Sequence, residues 1–488
     1  MRVTRRNLLL GAAAAAAAGA PSARADAGSA ALGADMDLLQ DVYQTLHPGL
    51  YRYQTPAGFN RRCADLKAAL QAPLSLEAQY LELSRLLATV RCGHTYANFF
   101  NQSRAVAERI VAPANKLPFL FVWLDRRMVV SANPLGAGDL APGDEILSIN
   151  GVAAADILAR LIPCVRADGA NDDKRRALLE VTGTDRIETF DVFYPLVFPG
   201  VGGTFRLTVR RIANGATGRC DVSAIDQPAR ERMARPGRDL SGPEAWRLEW
   251  PAPRTAVLTL PSWATYNVKW DWRGRLDEIF EALQRRGATG LVIDLRDNEG
   301  GEDCGDEILA RLIDAPLPRL AGAERLVRYR SIPPRLAPCL DTWDRSFDHL
   351  GEGADDLGDG FFRLRSEGDA WARIVPKGPR FRGRVIVLAG PQNSSATFQF
   401  IDLARRAGLA RIYGRATGGN QRGINGGSFY FVRLPHSGLE ADLPLVGVFP
   451  PGDRPDSGLA PDVWVAPQPQ DLARGWDRAL QRALADLA

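Results

Sequence analysis

Residues 385–400, VIVLAGPQNSSATFQF, decide the fold of the C-terminal half of this chain. The apolar run predicts a buried strand, Gly390-Pro391 predicts a turn, and a helix is expected to begin at Ser394-Ser395. A serine at such a junction exposes its hydroxyl and lies in the positive field of the helix N-terminus, which suits a nucleophile. Serine is also a preferred N-cap residue, so this segment alone does not separate a nucleophile from a cap.

A second strand-to-helix junction lies upstream at residues 291–301, LVIDLRDNEGG. Its apolar run predicts another buried strand, and the loop that follows contains the pair Gly300-Gly301. Glycine lets the backbone approach a reacting carbonyl closely and offers N–H donors to a developing oxyanion. On its own, a Gly-Gly pair is equally typical of a simple turn.

Strands and helices alternate around both junctions, which predicts a layered α/β domain over residues 250–488. The predicted strands cover 256–260, 290–295, 385–389, 411–414, 428–434 and 440–445, and the predicted helices cover 272–286, 303–313 and 395–407. Residues 316–383 are rich in Pro, Gly and Asp and are expected to be irregular. Residues 227–249 have a similar composition with many arginines and are predicted to be a linker.

The N-terminal half divides into two further units. Helical periodicity predicts a helical subdomain over residues 26–110, and short apolar runs predict a β domain over residues 111–226. Within the β domain, residues 140–152, LAPGDEILSINGV, combine a Pro-Gly-Asp turn, an alternating strand and an Asn-Gly hairpin turn, and they resemble a PDZ domain. Residues 165–200 exceed what a compact PDZ domain needs and are interpreted as an insertion. Such modules bind extended peptide ends by strand addition.

Residues 1–25 carry the whole formal charge of +4, because they hold four arginines and no acidic residue. Arg5-Arg6 precede an apolar run shorter than the roughly 20 residues of a membrane span, and a small-residue cleavage site follows. This pattern predicts a twin-arginine signal peptide and a periplasmic or secreted protein, with an uncleaved anchor as the alternative. No later segment is predicted to insert stably into a membrane. The remaining chain is neutral, so nucleic acid is not an expected partner.

The cysteines and histidines predict no metal site and no cofactor. Six cysteines are dispersed without CxxC spacing, and only four histidines occur. An oxidising compartment permits disulfides, but the sequence does not choose among the possible pairings.

Four motifs together resemble, in order and approximate spacing, the carboxyl-terminal processing and tricorn-type serine peptidases. They are D-L-R-x-N-x-G-G at 294–301, the Ser-Ala helix start at 395–396, G-x-x-T-G-G at 414–419 and G-x-x-P-D at 458–462. The resemblance covers residues 37–465 and implies a ClpP/crotonase-like fold for the C-terminal domain. It further implies a peptide or protein substrate, and it leaves the oligomeric state open.

The same resemblance implies roles for individual residues. Ser395 is the expected nucleophile rather than Ser394, because the serine of this family directly precedes alanine. The oxyanion hole is expected to consist of the backbone N–H groups of Gly300, Gly301 and Ala396.

The chain departs from the tail-specific members, which use a lysine downstream of the serine as general base. Asn420 stands at the expected position, and no lysine follows Ser395 at all. Arginine cannot replace it, because the guanidinium stays protonated. A serine–lysine dyad at that position is therefore excluded.

The base predicted instead is His94, in residues 87–97, LATVRCGHTYA, which resemble the segment that carries the catalytic histidine of tricorn-type members. Imidazole titrates near neutral pH, so it can accept the serine proton and return it to the leaving amine. A histidine that only caps or lines a loop is the ordinary alternative. Asp456 is the predicted acceptor for its other nitrogen, with Asp453 next, although aspartates in such segments commonly shape turns.

Gly419, Asn420 and Gln421 are predicted to contact substrate, and the two amide side chains could instead hold the histidine. Three functions remain open at this stage. They are an exported serine peptidase, a catalytically inactive ligand- or peptide-binding protein on the same fold, like the retinoid-binding relatives of this family, and a PDZ-type scaffold with a vestigial peptidase domain.

Overall fold

The computed structural model describes residues 29–488 except 73, 201, 235–241, 320–321 and 366–371. The predicted signal peptide, residues 1–25, lies outside the described residues. No helix in the described ranges is both long enough and apolar enough to span a bilayer. The six cysteines, all within these ranges, are unpaired.

The N-terminal unit is helical, as predicted. Serine and threonine side chains cap three of its helices, because the hydroxyls of Thr55, Ser75 and Ser103 accept backbone N–H groups of the first turns. The helices of this unit span Ser29–Leu46, Pro56–Ala69, Leu76–Ala88 and Arg104–Ile110.

An antiparallel sheet follows the helical unit, with the order β1-β2-β3-β5-β6 and β4 paired to β3. The predicted Asn-Gly hairpin is confirmed, because Asn150 and Gly151 have φ values of 51° and 83° between paired strands. Helices Ala154–Leu161, Asp172–Leu178 and Thr189–Val197 are inserted before β5. The strands are β1 (Leu120–Leu124), β2 (Arg127–Ala132), β3 (Glu145–Ile149), β4 (Val152–Ala153), β5 (Thr204–Arg210) and β6 (Thr217–Ser223).

The predicted linker, 227–249, is ordered at both ends of its described part. Helix Gln227–Arg232 opens it, and strand β7 (Arg247–Ala252) closes it. Arg230 is buried, where it donates to the Asp191 carboxylate at 2.7 Å and to the Leu117 carbonyl. The prediction of a free linker is therefore wrong for these ends, because a charged residue that composition assigns to solvent has a buried partner.

The C-terminal domain contains a sheet with the order β20-β17-β16-β9-β8-β7, parallel except for β7. Alternate residues of β9 face two cores: Leu291 and Ile293 pack with one set of helices, and Val292 packs with Leu487 of the last helix. This two-sided burial explains why the strand is continuously apolar. The strands are β8 (Thr255–Thr259), β9 (Gly290–Asp294), β16 (Arg384–Ala389), β17 (Arg411–Gly414) and β20 (Val463–Trp464), with helices Trp272–Arg285, Cys304–Ala310, Ser395–Arg406, Pro469–Arg474 and Arg478–Leu487.

A second sheet of this domain is antiparallel, with the order β12-β18-β19-β11-β14-β13, and β10 pairs separately with β15. Several of its strands fall in residues 316–383, so the expectation that this region is irregular is wrong in part. The strands are β10 (Leu317–Pro318), β11 (Glu324–Val327), β12 (Leu340–Asp341), β13 (Asp355–Gly358), β14 (Phe361–Arg363), β15 (Arg373–Ile374), β18 (Asn425–Arg433) and β19 (Glu440–Phe449).

Strands β18 and β19 share one core with the N-terminal helices and the first sheet. Polar contacts reinforce this packing, because Tyr43 donates to the Asp442 carbonyl at 2.8 Å and Asn98 donates to the Asp442 carboxylate at 2.7 Å. The segment that carries His94 is thereby fixed against the C-terminal domain.

Candidate active site

The turn between β16 and the helix that follows is held by one buried side chain, Asn393. Its Oδ1 accepts the N–H of Gly390 at 2.7 Å, and its Nδ2 donates to the carbonyls of Leu295 and Asn298. Asn393 thus ties the turn before Ser395 to the loop that follows β9.

The two serines at this junction have different surroundings. Ser394 is buried, and its hydroxyl donates to the carbonyl of Glu299 at 3.1 Å. Ser395 is partly exposed, and its hydroxyl has no hydrogen bond to any described residue. Ser395 also has a φ of 50°, a left-handed conformation that is costly for a non-glycine residue. Such strain occurs preferentially at functional sites. Of the two serines, Ser395 is therefore the one with a strained backbone and an accessible side chain.

The Gly300-Gly301 pair allows a close backbone approach to this serine. A Cβ on Gly300 would stand 2.9 Å from the Cβ of Ser395, and one on Gly301 would stand 2.1 Å from the Trp263 carbonyl oxygen. Both glycines have positive φ, 123° and 140°. Only glycine satisfies these constraints.

The predicted oxyanion donors do not all have free N–H groups. The N–H of Gly300 donates to Oδ1 of Asn298 at 2.9 Å, which corrects its assignment as a donor to substrate. The N–H groups of Gly301 and Ala396 have no acceptor among the described residues. Asn298 was not singled out by sequence reasoning, although it lies in the D-L-R-x-N-x-G-G motif. Its side chain also accepts from Thr397 at 2.7 Å, so it joins the loop to the helix of Ser395.

His94 follows helix Leu76–Ala88 and is partly exposed. Its ring lies 5.7 Å from the Phe429 ring of β18, and its Nδ1 is buried without a hydrogen-bond partner among the described residues. Burial lowers the pKa of its imidazole, while the charge of Asp168 acts in the opposite direction. His94 is therefore neutral at neutral pH, as a general base must be.

A charged cluster that sequence reasoning missed adjoins the same loop. The Glu299 carboxylate lies 2.7 Å from Lys174 Nζ and 3.0 Å from an Arg166 guanidinium nitrogen. Burial acts against ionisation of Glu299, but Arg166 and Lys174 hold the pKa of its carboxyl well below the usual range. These three groups also act electrostatically on His94. Ser395 thus adjoins Gly300, and the charge of Glu299, in the same loop, acts on His94.

Lys174 itself is one of only five lysines, and its side chain is 1% exposed. Burial lowers the pKa of its ammonium group, and Glu299 opposes that effect. The ammonium also donates to the carbonyl and side-chain oxygens of Gln392. The sequence feature that could have indicated this residue is that Lys174 is the one lysine in residues 165–200, a segment interpreted only as an insertion.

The residues predicted to contact substrate bond within the protein. Gly419 donates its N–H to the Asn393 carbonyl at 3.0 Å. Asn420 is fully buried, and its Nδ2 donates to the Asp456 carboxylate at 2.7 Å. Gln421 donates to Gly458 at 3.1 Å. The N–H of Gly419 and the side chain of Asn420 thus have internal partners, and a substrate contact for Gly419, Asn420 or Gln421 stays a prediction.

Asp456 does not contact His94 within the described residues. Its Oδ1 accepts from Asn420 and, at 2.9 Å, from the N–H of Ala170, and its Oδ2 lies 3.9 Å from Arg91. Asp453, the second candidate, is exposed.

An open groove lies along the helix that begins at Ser395. Phe398, Gln399 and Asp402 line it, at spacings of three, four and seven residues from the serine. Ser395 and His94 are not among the described residues that line the groove. Asn420 and Gln421 also line it.

Residues 254–463 match the sequence model described as Peptidase family S41. No curated protein sequence matches the chain significantly. Among solved structures, mature CPAF complexed with lactacystin superposes with a TM-score of 0.63 at 16% identity, over 94% of this chain and 97% of that chain. A CPAF mutant with a serine replaced by alanine gives 0.64 at 15% identity, over 91% and 94%. The tricorn protease gives 0.37 at 15% identity, over 94% of this chain and 36% of that chain. The CPAF matches show a shared fold.

Proposed function

We propose that this chain, which carries a domain of peptidase family S41, is an exported serine peptidase that hydrolyses peptide bonds in peptide or protein substrates. The observation that carries the proposal is the conformation of Ser395, whose unbonded hydroxyl lies at a left-handed helix start beside Gly300. Strain of this kind persists only where the surrounding structure enforces it.

In the proposed reaction, Ser395 attacks the scissile carbonyl, and its proton passes to Nε2 of His94. The tetrahedral oxyanion is bound by the N–H groups of Gly301 and Ala396, and Gly300 allows the close approach. His94 then protonates the leaving amine, which leaves an acyl-enzyme. In the second half of the reaction, His94 accepts a proton from the water that attacks the acyl group, and it then returns this proton to the Ser395 oxygen. Loss of the base is expected to cost about 10²–10⁴ in rate, and loss of one oxyanion donor about 10²–10³.

The groove along the helix of Ser395 is the proposed substrate-binding surface, with Gln421 and the side chain of Phe398 in its walls. We assign the sheet β1–β6 to a PDZ-like module and the C-terminal domain to the ClpP/crotonase-like fold. The Asn150-Gly151 hairpin supports the first assignment, and the parallel sheet flanked by helices supports the second. The Arg5-Arg6 segment supports export to the periplasm or beyond.

Hydrolysis of a mixed peptide library, followed by mass spectrometry, tests this proposal. Wild type and Ser394→Ala should generate the same product peptides, because the Ser394 hydroxyl is used internally. Ser395→Ala and His94→Gln should generate none above background. Products that persist in Ser395→Ala would overturn the assignment of the nucleophile. A wild type that cleaves nothing, yet retains a peptide or apolar ligand, would favour the binding-protein alternative.

A further inference from the structure

The proposed base needs an acceptor for its second nitrogen, and Asp456 does not supply one. Both oxygens of Asp456 are directed to other groups: Oδ1 to Asn420 and Ala170, and Oδ2 towards Arg91. Without an acceptor at Nδ1, the ring of His94 could carry its proton on Nε2. A histidine in that tautomer cannot accept the serine proton.

A different carboxylate, Asp168, lies against the backbone of the histidine segment. Its Oδ1 accepts the N–H of Gly93 at 2.8 Å, and a Cβ on Gly93 would stand 2.8 Å from its Oδ2. Oδ2 is buried and has no hydrogen-bond partner among the described residues. The Nδ1 atom of His94, one residue along the chain from Gly93, is also buried and unpartnered.

These two atoms are complementary. A carboxylate oxygen only accepts, and Nδ1–H of a neutral imidazole donates. Leaving both atoms buried and unsatisfied would cost about 1–3 kcal/mol each, so one water that bridges them removes two penalties at once.

We propose that Asp168, not Asp456, is the positioning carboxylate of the site: one water accepts the Nδ1–H of His94 and donates to Oδ2 of Asp168, which leaves Nε2 to accept the Ser395 proton. This inference rests on the proposed function.

Asp456 has a supporting role in this arrangement. Asn420 donates to the Asp168 carbonyl at 3.3 Å and to Asp456 at 2.7 Å, so Asp456 holds the turn that carries Asp168. A side chain on Gly169 would meet Asp456 Oδ1 at 2.0 Å, which shows how closely the turn and the carboxylate pack. On the other side, Arg166 donates to the Gly93 carbonyl at 2.6 Å.

The charges that act on His94 come from Asp168, Glu299, Arg166 and Lys174. The carboxylates raise the pKa of the imidazole and the two cations lower it, while burial lowers it most. Removing the Asp168 charge therefore lowers the pKa of His94 further. Asp456 is not among these charges, so removing its charge should change that pKa less than removing the charge of Asp168.

The experiment compares Asp168→Asn with Asp456→Asn in the full mature chain. Asp168→Asn still accepts from Gly93, but it can present an amide donor to the bridging water and favour the wrong tautomer. We expect kcat for peptide hydrolysis, and the rate of fluorophosphonate labelling, to fall about 10²–10⁴-fold with little change in KM. Asp456→Asn keeps an oxygen that accepts from Asn420 and Ala170. Its kcat and its labelling rate should therefore stay within about tenfold of the wild-type values. Asp65→Asn, at an exposed position in the N-terminal helical unit, is the matched control and should equal wild type.

A second variant acts on the same carboxylate without changing charge. Gly93→Ala places a methyl group 2.8 Å from Oδ2 of Asp168 and should displace it, with a loss similar to that of Asp168→Asn. If Asp168→Asn does not fold, Gly93→Ala provides the test of the Asp168 carboxylate instead. The proposal would be overturned if kcat falls no further in Asp168→Asn than in Asp456→Asn and Gly93→Ala keeps full activity.

NMR titration of the His94 ring separates this inference from the proposed function, because it does not require turnover. Histidine-labelled protein, assigned with His94→Gln, should show a lower pKa of His94 in Asp168→Asn and a smaller change in Asp456→Asn. If wild type neither cleaves peptides nor reacts with the fluorophosphonate, the proposed function fails. The titration still shows whether His94 is paired with Asp168. An unchanged His94 pKa in Asp168→Asn would refute this pairing.

Discussion

Asn298 joins the loop of Gly300 to the helix that begins at Ser395. Its replacement is the most informative mutation for testing the proposed role of this loop. Its Oδ1 accepts from the Gly300 N–H at 2.9 Å and from the Thr397 hydroxyl at 2.7 Å, and its Nδ2 donates to the Leu260 carbonyl at 2.9 Å. The side chain is fully buried. Asn298→Ala removes all three bonds at once.

The size of the effect follows from the groups left behind. The Gly300 N–H and the Leu260 carbonyl lose their partners in a buried site, at about 1–3 kcal/mol each, so unfolding should become easier by about 2–6 kcal/mol. The loop that carries Gly301 also loses its fixed position, and kcat should fall by about 10²–10³. Thr397→Val is the matched control. It removes one bond to Asn298 but leaves the Gly300 contact, so it should cost about 1 kcal/mol and little activity.

Urea denaturation and peptide hydrolysis measure the two quantities on the same preparations. The expected order is wild type, Thr397→Val and then Asn298→Ala, both in stability and in kcat. A kcat for Asn298→Ala within a few-fold of wild type would refute the role of this loop in catalysis. A stability equal to that of Thr397→Val would refute the bonding account.

Three further predictions concern Gly300, His94 and Asp442. Gly300→Ala should abolish hydrolysis, because its Cβ would stand 2.9 Å from the Cβ of Ser395 at a φ of 123°, and steady-state kinetics on folded protein check this. Because burial lowers the pKa of His94, labelling by a fluorophosphonate should persist below pH 6.5 and lose rate only under more acidic conditions; a half-maximal rate above pH 6.5 would contradict this. Burial raises the pKa of Asp442 to about 7, so its stabilising effect is complete below about pH 4 and is lost as the pH rises to about 7. The stability of wild type relative to Asp442→Asn, from urea midpoints, should therefore decline over that range, and a constant difference would contradict it.

Local patterns were sufficient for the strands and helices on either side of the Gly300 and Ser395 turns, but not for the strands in residues 316–383. The strand at 385–389 and the helix at 395–407 were predicted within one residue, because a buried parallel strand is continuously apolar and its turn residues are distinctive. The same argument predicted the strand before Gly300. The assignment of Ser395 and His94 to catalysis stays a prediction.

The failures concern residues whose roles depend on distant partners. Arg230 was assigned to a linker because Asp191, which neutralises it, is remote in sequence. Asp168 and Lys174 lay in a segment interpreted as an insertion, yet the first contacts Gly93 and the second contacts Glu299. A sequence pattern records spacing along the chain and carries no information about such tertiary contacts.

The central claim is that Ser395 is a nucleophile activated by its surroundings. The most direct measurement is tandem mass spectrometry of the protein after reaction with a fluorophosphonate, which locates the adduct on a single residue. The account predicts stoichiometric modification at Ser395 in wild type and its loss in His94→Gln. An adduct on Ser394 or elsewhere, or a folded wild type that is not modified, would contradict it.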